Sequence, residues 1–234
     1  MKLDVFFEQL ALGELSQHKL GKSGVITLAD YPAVISHINR GLTALHSRFP
    51  LSHKELTLLQ FDNITDYILD TKYSVSAADP TVAEKYIYDT AEKPFLDDLI
   101  RIDAAYDGQG CNVPINDEAD IRSWFTPNNN TIQIPSPTAG VLVSVMYRAN
   151  HAKIDRALTD PSLVDLVIPQ CLEAALGAFI ASRAFIALGN QTSAQLSAFY
   201  SQLYESEIKQ VKRLNLLQSS QNSSNYKFLL GGWK

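Results

Sequence analysis

The side chains in this chain that could do chemistry are spread thinly, and each grouping falls short of a complete site. Gly21-Lys22-Ser23 has the ending of a phosphate-binding loop, in which backbone N–H groups cradle phosphates and the lysine reaches toward them. That loop needs a second glycine five residues before Gly21, where Ser16 stands, and no strand pattern leads into it. A nucleotide site is not expected. The five histidines, His18, His37, His46, His53 and His151, contain no pair four residues apart, and His37 and His46 share one helical stretch out of line with each other. Satisfied or exposed histidines are the expectation, not a metal centre. Asp97, Asp98, Asp103 and Asp107 form an acidic run beside a strand pattern. It reads as a solvated face, with a bound cation as the alternative. The calcium-loop pattern fails because Gln109 and Cys111 take the next ligand positions. Cys111 and Cys171 lie in unrelated contexts, far in sequence from any histidine, and read as free thiols of an intracellular protein. No Gly-x-Ser-x-Gly elbow is present. The expectation is a chain without catalytic residues, metal or cofactor.

The elements that would position these residues are clearer. Leu3, Phe6, Phe7 and Leu10 mark a short amphipathic helix over 3–12. Asp30 and Pro32 open a second helix, whose Ile35, Ile38, Leu42, Leu45 and Phe49 repeat at spacings of three and four until Pro50. Pro169, in a first-turn role, starts a third helix carrying Leu172, Leu176, Phe179, Ile180 and Ile186. Gly189-Asn190 ends it. A fourth helix, capped near Ser193, repeats Leu196, Phe199, Leu203, Val211 and Leu214, and the pair forms a helical hairpin.

Between these helices the punctuation changes. Glu55–Phe61 reads as a strand, Asn63–Leu69 as a helical turn or more, and Val82–Tyr88 is ambiguous. Leu99–Ile102 is a strand and Asp107–Gly110 a turn. Pro127-Asn128-Asn129-Asn130 is a hairpin signal between Trp124–Thr126 and Thr131–Ile134. Val141–Tyr147 reads as a strand buried on both faces. These signs predict an α+β fold, mainly α: a helical bundle with a small antiparallel β insertion of about four strands and an extended C-terminal tail. The expected divisions are N-terminal helices over 1–50, a mixed loop-rich segment over 51–94, the β insertion over 95–148, a linker and hairpin over 149–217, and the tail over 218–234.

The tail changes character abruptly. Gln218–Asn225 is a polar stretch with nothing to bury, and it leads to Tyr226, Phe228, Leu229, Leu230 and Trp233. An apolar anchor on a polar leash predicts a partner that orders it. The turns at Asn128–Asn130 and Asp107–Gly110 are expected to meet a neighbouring subunit or another protein, since loops on a rigid core carry recognition.

Composition narrows the function classes. The chain has 234 residues, 46% hydrophobic and 19% charged, so one sizeable core is within reach. A net charge of −5 argues against a broad nucleic-acid-binding surface. No apolar run approaches the ~20 residues that span a bilayer, and Met1-Lys2-Leu3-Asp4 begins no signal-peptide pattern.

Three sets of residues together resemble a known family. The first is Glu14-Leu15-Ser16, then Tyr31-Pro32, then Ile38–Leu45 ending in Arg48-Phe49. The second is Asp98–Ile102 with Thr126-Pro127, Ile134-Pro135 and Val141–Ala149. The third is Ile168–Leu176 with Tyr200 and Tyr204-Glu205. The layout resembles the head-to-tail adaptor (connector) proteins of tailed bacteriophages, over nearly the full chain and without a catalytic signature. The resemblance implies a structural virion protein in the neck, made in the host bacterial cytoplasm. It would form a homo-oligomeric ring of about twelve copies. The ring would bind the portal protein through Tyr226, Phe228, Leu229, Leu230 and Trp233, and a downstream tail or nozzle protein on its other side. Double-stranded DNA would pass through the channel without specific binding. The competing reading is a cytoplasmic helical regulator or ligand-binding module that dimerises through its C-terminal hairpin. With only Arg40 and Arg48 on the second helix, a basic reading helix is weakly supported.

Overall fold

In the computed structural model, residues 1–21, 23–77 and 81–217 are described below; the chain divides into one compact unit over Met1–Val167 and a second from Ile168. The first unit opens with α1 (Leu3–Leu12) and α2 (Tyr31–Arg48). Leu3, Phe6, Phe7 and Leu10 of α1 are buried, as are Ile35, Ile38, Leu42, Leu45 and Phe49 along and just past α2, so both apolar stripes face inward as their periodicity requires. Asp30 stands at the N-cap of α2, but its side chain bonds no helical N–H; Thr27 Oγ1 donates to Asp30 Oδ2 instead, at 2.6 Å. The N-terminus is tied to the far end of the unit. Leu3 N–H donates to Val164 O, Leu166 N–H donates to Met1 O, and Lys2 pairs with Asp165.

Eight strands follow among the described residues: β1 (His53–Leu59), β2 (Asp66–Ile68), β3 (Ile87–Tyr88), β4 (Leu99–Tyr106), β5 (Asn112–Val113), β6 (Phe125–Asn128), β7 (Thr131–Gln133) and β8 (Leu142–Ala149). They make two wholly antiparallel sheets, one of order β3-β1-β8-β4-β5 and one of order β2-β7-β6. The mainly helical bundle with a small insertion is therefore overturned. Over the described residues the fold is a sheet-rich α+β fold, 35% helical and 21% strand, and the strands run from His53 to Ala149. The reason is non-local. β1 pairs along its whole length with β8, His53 opposite Arg148 and Leu59 opposite Leu142, so strands on both sides of residue 94 belong to one sheet.

A shared core joins the sheets. Leu56 and Leu58 of β1, Val143, Val145 and Tyr147 of β8, and Tyr67 and Ile132 of the smaller sheet are all buried in it. Asn63–Leu69 is not helical: Tyr67 needs the core, and β2 pairs with β7. Tyr86 replaces a missing strand at the outer edge of β2, its hydroxyl donating to Ile68 O at 2.9 Å and accepting from Ile68 N–H at 2.9 Å. Val143, Val145, Tyr147 and Ala149 point inward, but Leu142 is exposed and Ser144, Met146 and Arg148 are half-buried, so β8 is buried on one face only.

The second unit holds a 3-10 turn at Gln170–Leu172, then α3 (Glu173–Ile186) and α4 (Gln191–Arg213). Pro169 is the extended residue before that turn, not a first-turn helical residue. Small residues Ala175, Gly177, Ala178, Ala181 and Ala184 are buried on α3, letting the two helices approach. Gly189 takes φ +69, the left-handed conformation that glycine adopts without a Cβ clash. Asn190 caps α4 in a reciprocal box with Ser193, one residue set earlier than the sequence places it. The buried stripe of α4 is Ser193, Ser197, Tyr204, Ile208 and Val211; Phe199 and Leu214, expected in that stripe, are 58% and 52% exposed.

Candidate functional site

The apolar anchor expected at Tyr226, Phe228, Leu229, Leu230 and Trp233 lies outside the described residues. The two expected contact turns are within them. Asn128 and Asn129 are exposed at the tip of the β6–β7 hairpin, while Asn130 is half-buried and its carbonyl accepts from Leu69 N–H at 2.7 Å. Asp107 closes the β4–β5 turn on itself: its Oδ1 accepts from the N–H groups of Gln109 and Cys111, both at 2.9 Å. The two turns belong to different sheets.

The acidic run is not one site. Asp97 accepts from Thr71 N–H and Thr71 Oγ1, both at 2.8 Å. Asp98 accepts from Tyr147 OH at 3.0 Å and pairs with Lys54. Asp103 lies 2.7 Å from the Arg101 guanidinium, 3.3 Å from His53 Nε2 and 3.6 Å from Arg148 Nε. Each carboxylate thus holds a different stretch of backbone or a different cation. Among the described residues no three His, Cys, Asp or Glu side chains gather as a metal site. Burial, with Asp98 accepting the hydroxyl and adding negative charge beside it, pushes the Tyr147 phenol well above its usual range, so Tyr147 serves as a donor.

The outer face of the larger sheet carries an open trough of about 460 Å³ between Glu55 and Thr57 of β1, Leu142, Ser144 and Met146 of β8, and the β4–β5 turn. Gly108 forms its rim. A Cβ there would stand 2.6 Å from Val141 Cγ1, so only glycine lets the turn sit this close. The trough holds no nucleophile–base pair and mixes apolar and polar walls, which suits contact with another surface more than enclosure of a small ligand.

One dense polar constellation has no local signal in the sequence. It joins α2 to the chain leaving β8, more than a hundred positions apart. Asn39 Nδ2 donates to Ile154 O at 2.9 Å while Ile154 N–H donates to Asn39 Oδ1 at 3.0 Å. The His151 ring lies 3.0 Å from Asn39 O and 2.8 Å from Ala152 O through its two nitrogens. Asn150 Nδ2 donates to Thr43 Oγ1 at 3.3 Å, and Arg148 reaches Ser47 O at 3.4 Å. The buried His46 ring sits 5.9 Å from that of His151, with Nδ1 3.2 Å from Ala149 O. Burial pushes the His46 imidazole below its ordinary value, the bond to Ala149 opposing and His151 adding to the shift.

No described helix is long and apolar enough to cross a membrane. No protein-family model matches the chain, and no curated protein matches it.

Proposed function

We propose that this chain is a structural virion subunit, a head-to-tail adaptor whose copies form a ring beneath a capsid portal and lead DNA toward the tail. The observation that carries the reading is the apolar surface left uncovered on the helical hairpin. Ile186, Leu188, Phe199, Leu214 and Leu216 are all more than a third exposed in the single chain. Scattered exposed apolar residues are ordinary, but Ile186 and Phe199 on the two helices, with Leu188 in the turn and Leu214 and Leu216 just past α4, fit a subunit that buries them against neighbours. The residue likeness described above supports the same reading, and the polar-then-apolar segment after Leu217 supplies an anchor for the portal.

That anchor works in numbers. Burying Tyr226, Phe228, Leu229, Leu230 and Trp233 contributes about 8–15 kcal/mol. Ordering about nine backbone residues costs about 9–18 kcal/mol. One tail therefore binds weakly, and a ring of tails binds tightly through the effective concentration of each later one. The test is the mass of the purified chain, alone and with portal rings, for the wild type and for Trp233→Ala with Phe228→Ala. The wild type is expected to be monomeric alone and to form a ring on the portal. The double variant is expected to be a soluble monomer with an unchanged thermal transition and no ring. Assembly of the double variant at wild-type concentration would show that the tail is not the anchor. A stable dimer without portal would favour the hairpin-dimerising regulator.

A further inference from the structure

We infer that the polar side of α2 and the chain leaving β8 form a basic ridge that contacts the phosphate backbone of duplex DNA. It deepens the adaptor reading by giving the passing DNA a surface to slide on, and it rests on that reading only for its purpose.

Two short stretches carry the charge. The 18 residues of α2 include Arg40 and Arg48 and no acid. Residues 147–157 include Arg148, Lys153 and Arg156 against Asp155 alone, in a chain whose net charge is −5. The fold brings them together. Ser36, Arg40, Thr43 and Ser47 recur at spacings of four, three and four, which places them on one side of the helix. Thr43 and Ser47 on that side receive Asn150, His151 and Arg148 from the β8 exit. Asn39, beside Arg40, is doubly bonded to Ile154, beside Lys153.

Not all of the positive charge is available. Arg148 and Arg101 lie against Asp103, and Lys54 against Asp98. Asp155 spends one oxygen on Ala157 N–H. Arg40, Lys153 and Arg156 are exposed, and no ion pair among the described residues engages them.

The surroundings choose the partner. Protein–protein interface cores are rich in aromatic and apolar side chains and poor in charge. Here no large apolar residue is exposed within 31–49 or 147–157 among the described residues, although such residues are exposed on several other elements. Exposed arginines and lysine interleaved with serine, threonine and asparagine are the groups that contact phosphate oxygens. Such contacts hold any sequence alike, so the ridge steadies a duplex without reading it. The chain's net negative charge repels the duplex elsewhere and confines contact to this ridge.

The experiment is the salt dependence of binding to a short mixed-sequence duplex, by fluorescence anisotropy with the full chain. Three variants are compared: wild type, Arg40→Gln with Lys153→Gln and Arg156→Gln, and a charge-matched control, Lys19→Gln with Lys209→Gln and Arg213→Gln. For three phosphate contacts the wild-type slope of log K against log salt is expected near −2.7, at about −0.9 per contact. The ridge variant is expected to lose most of that slope and at least tenfold in affinity at about 50 mM salt, while the control keeps both. All six positions of substitution leave the core untouched, and an unchanged circular dichroism spectrum checks this. Equal losses in the control, or no wild-type binding that responds to salt, would overturn the inference. Polyglutamate displacing the duplex at matched charge would also overturn it, in favour of an acidic protein surface. Because binding is read on the isolated chain, it stands or falls separately from ring formation on a portal.

Discussion

Single residues set how this protein responds to acid. His46 is buried, and its imidazole is held below its ordinary value, so the folded chain refuses a proton that the unfolded chain accepts. The stability this contributes is present above about pH 6.5 and is lost as pH falls through that value. Asp89 acts lower on the scale. Partial burial raises its carboxyl, but hydrogen bonds from Ser74 and Ser76 and the backbone N–H groups of Phe95 and Ser76 outweigh that and hold it at about 2. Its contribution is present above the ordinary carboxylate value and is lost as pH falls through that value toward about 2. Solvent screening keeps it on the order of 1 kcal/mol. Urea midpoints against pH should therefore fall in two steps. His46→Gln is expected to flatten the step between about pH 7 and pH 5, and Asp89→Asn the one below about pH 4. A wild-type midpoint that does not change between those upper values would refute the role given to His46.

At the scale of elements, what could be read from the sequence was whatever depended on neighbours three or four positions away. The stripes of α1 and α2 are buried at the residues their spacing names, and the hairpin at Pro127–Asn130 forms where its turn residues stand. The fourth helix shows the limit of that reading. Leu196, Phe199, Leu203, Val211 and Leu214 look like a stripe, yet of these Val211 alone is buried and Leu196 and Leu203 are half-buried; the side that packs is marked also by Ser193, Ser197 and Tyr204, because small residues let α3 come close. Ser197 Oγ donates across the hairpin to Ser182 O at 2.9 Å, a polar link that no hydrophobic pattern reveals. The β1–β8 pairing and the Asn39–Ile154 junction were illegible for a related reason: their partners are close only after the chain has folded. Two substitutions separate packing from display. Asn190→Ala removes the α4 cap and should cost about 1 kcal/mol in thermal or urea unfolding. Phe199→Ala should change the stability of the isolated chain by no more than about 0.5 kcal/mol, and under the proposed adaptor function its effect should appear in the mass of the ring formed with portal.

Across the whole molecule, the long-range pairing decides what can be cut. The unit over Met1–Val167 contains both sheets, α1 and α2, and the 164–166 segment that holds the N-terminus. A chain ending at Val167 is expected to keep the near-ultraviolet signal of Trp124 and the packed Tyr67–Tyr86 pair, whose ring centroids are 5.1 Å apart. A chain ending at Gly140 lacks β8, leaving β1 and β4 without the neighbour they share, and should lose that signal and its strand content together. Retention of the near-ultraviolet signal by the shorter chain would mean that the core packs without β8.

The central place of β8 also bears on the order in which the protein is made. Of the eight strands it is the last to be synthesised, yet β1 and β4 both wait for it. His53 leaves the ribosome 95 positions before Ala149's neighbour Arg148, its partner in the ladder. At about 5–20 residues per second, β1 spends about 5–20 s with its edge open. The larger sheet is thus a clock set by translation: until it closes, a nascent chain offers unpaired strands to chaperones. The helices of the second unit, from Ile168 on, leave the ribosome only after the last strand of the sheet has been made.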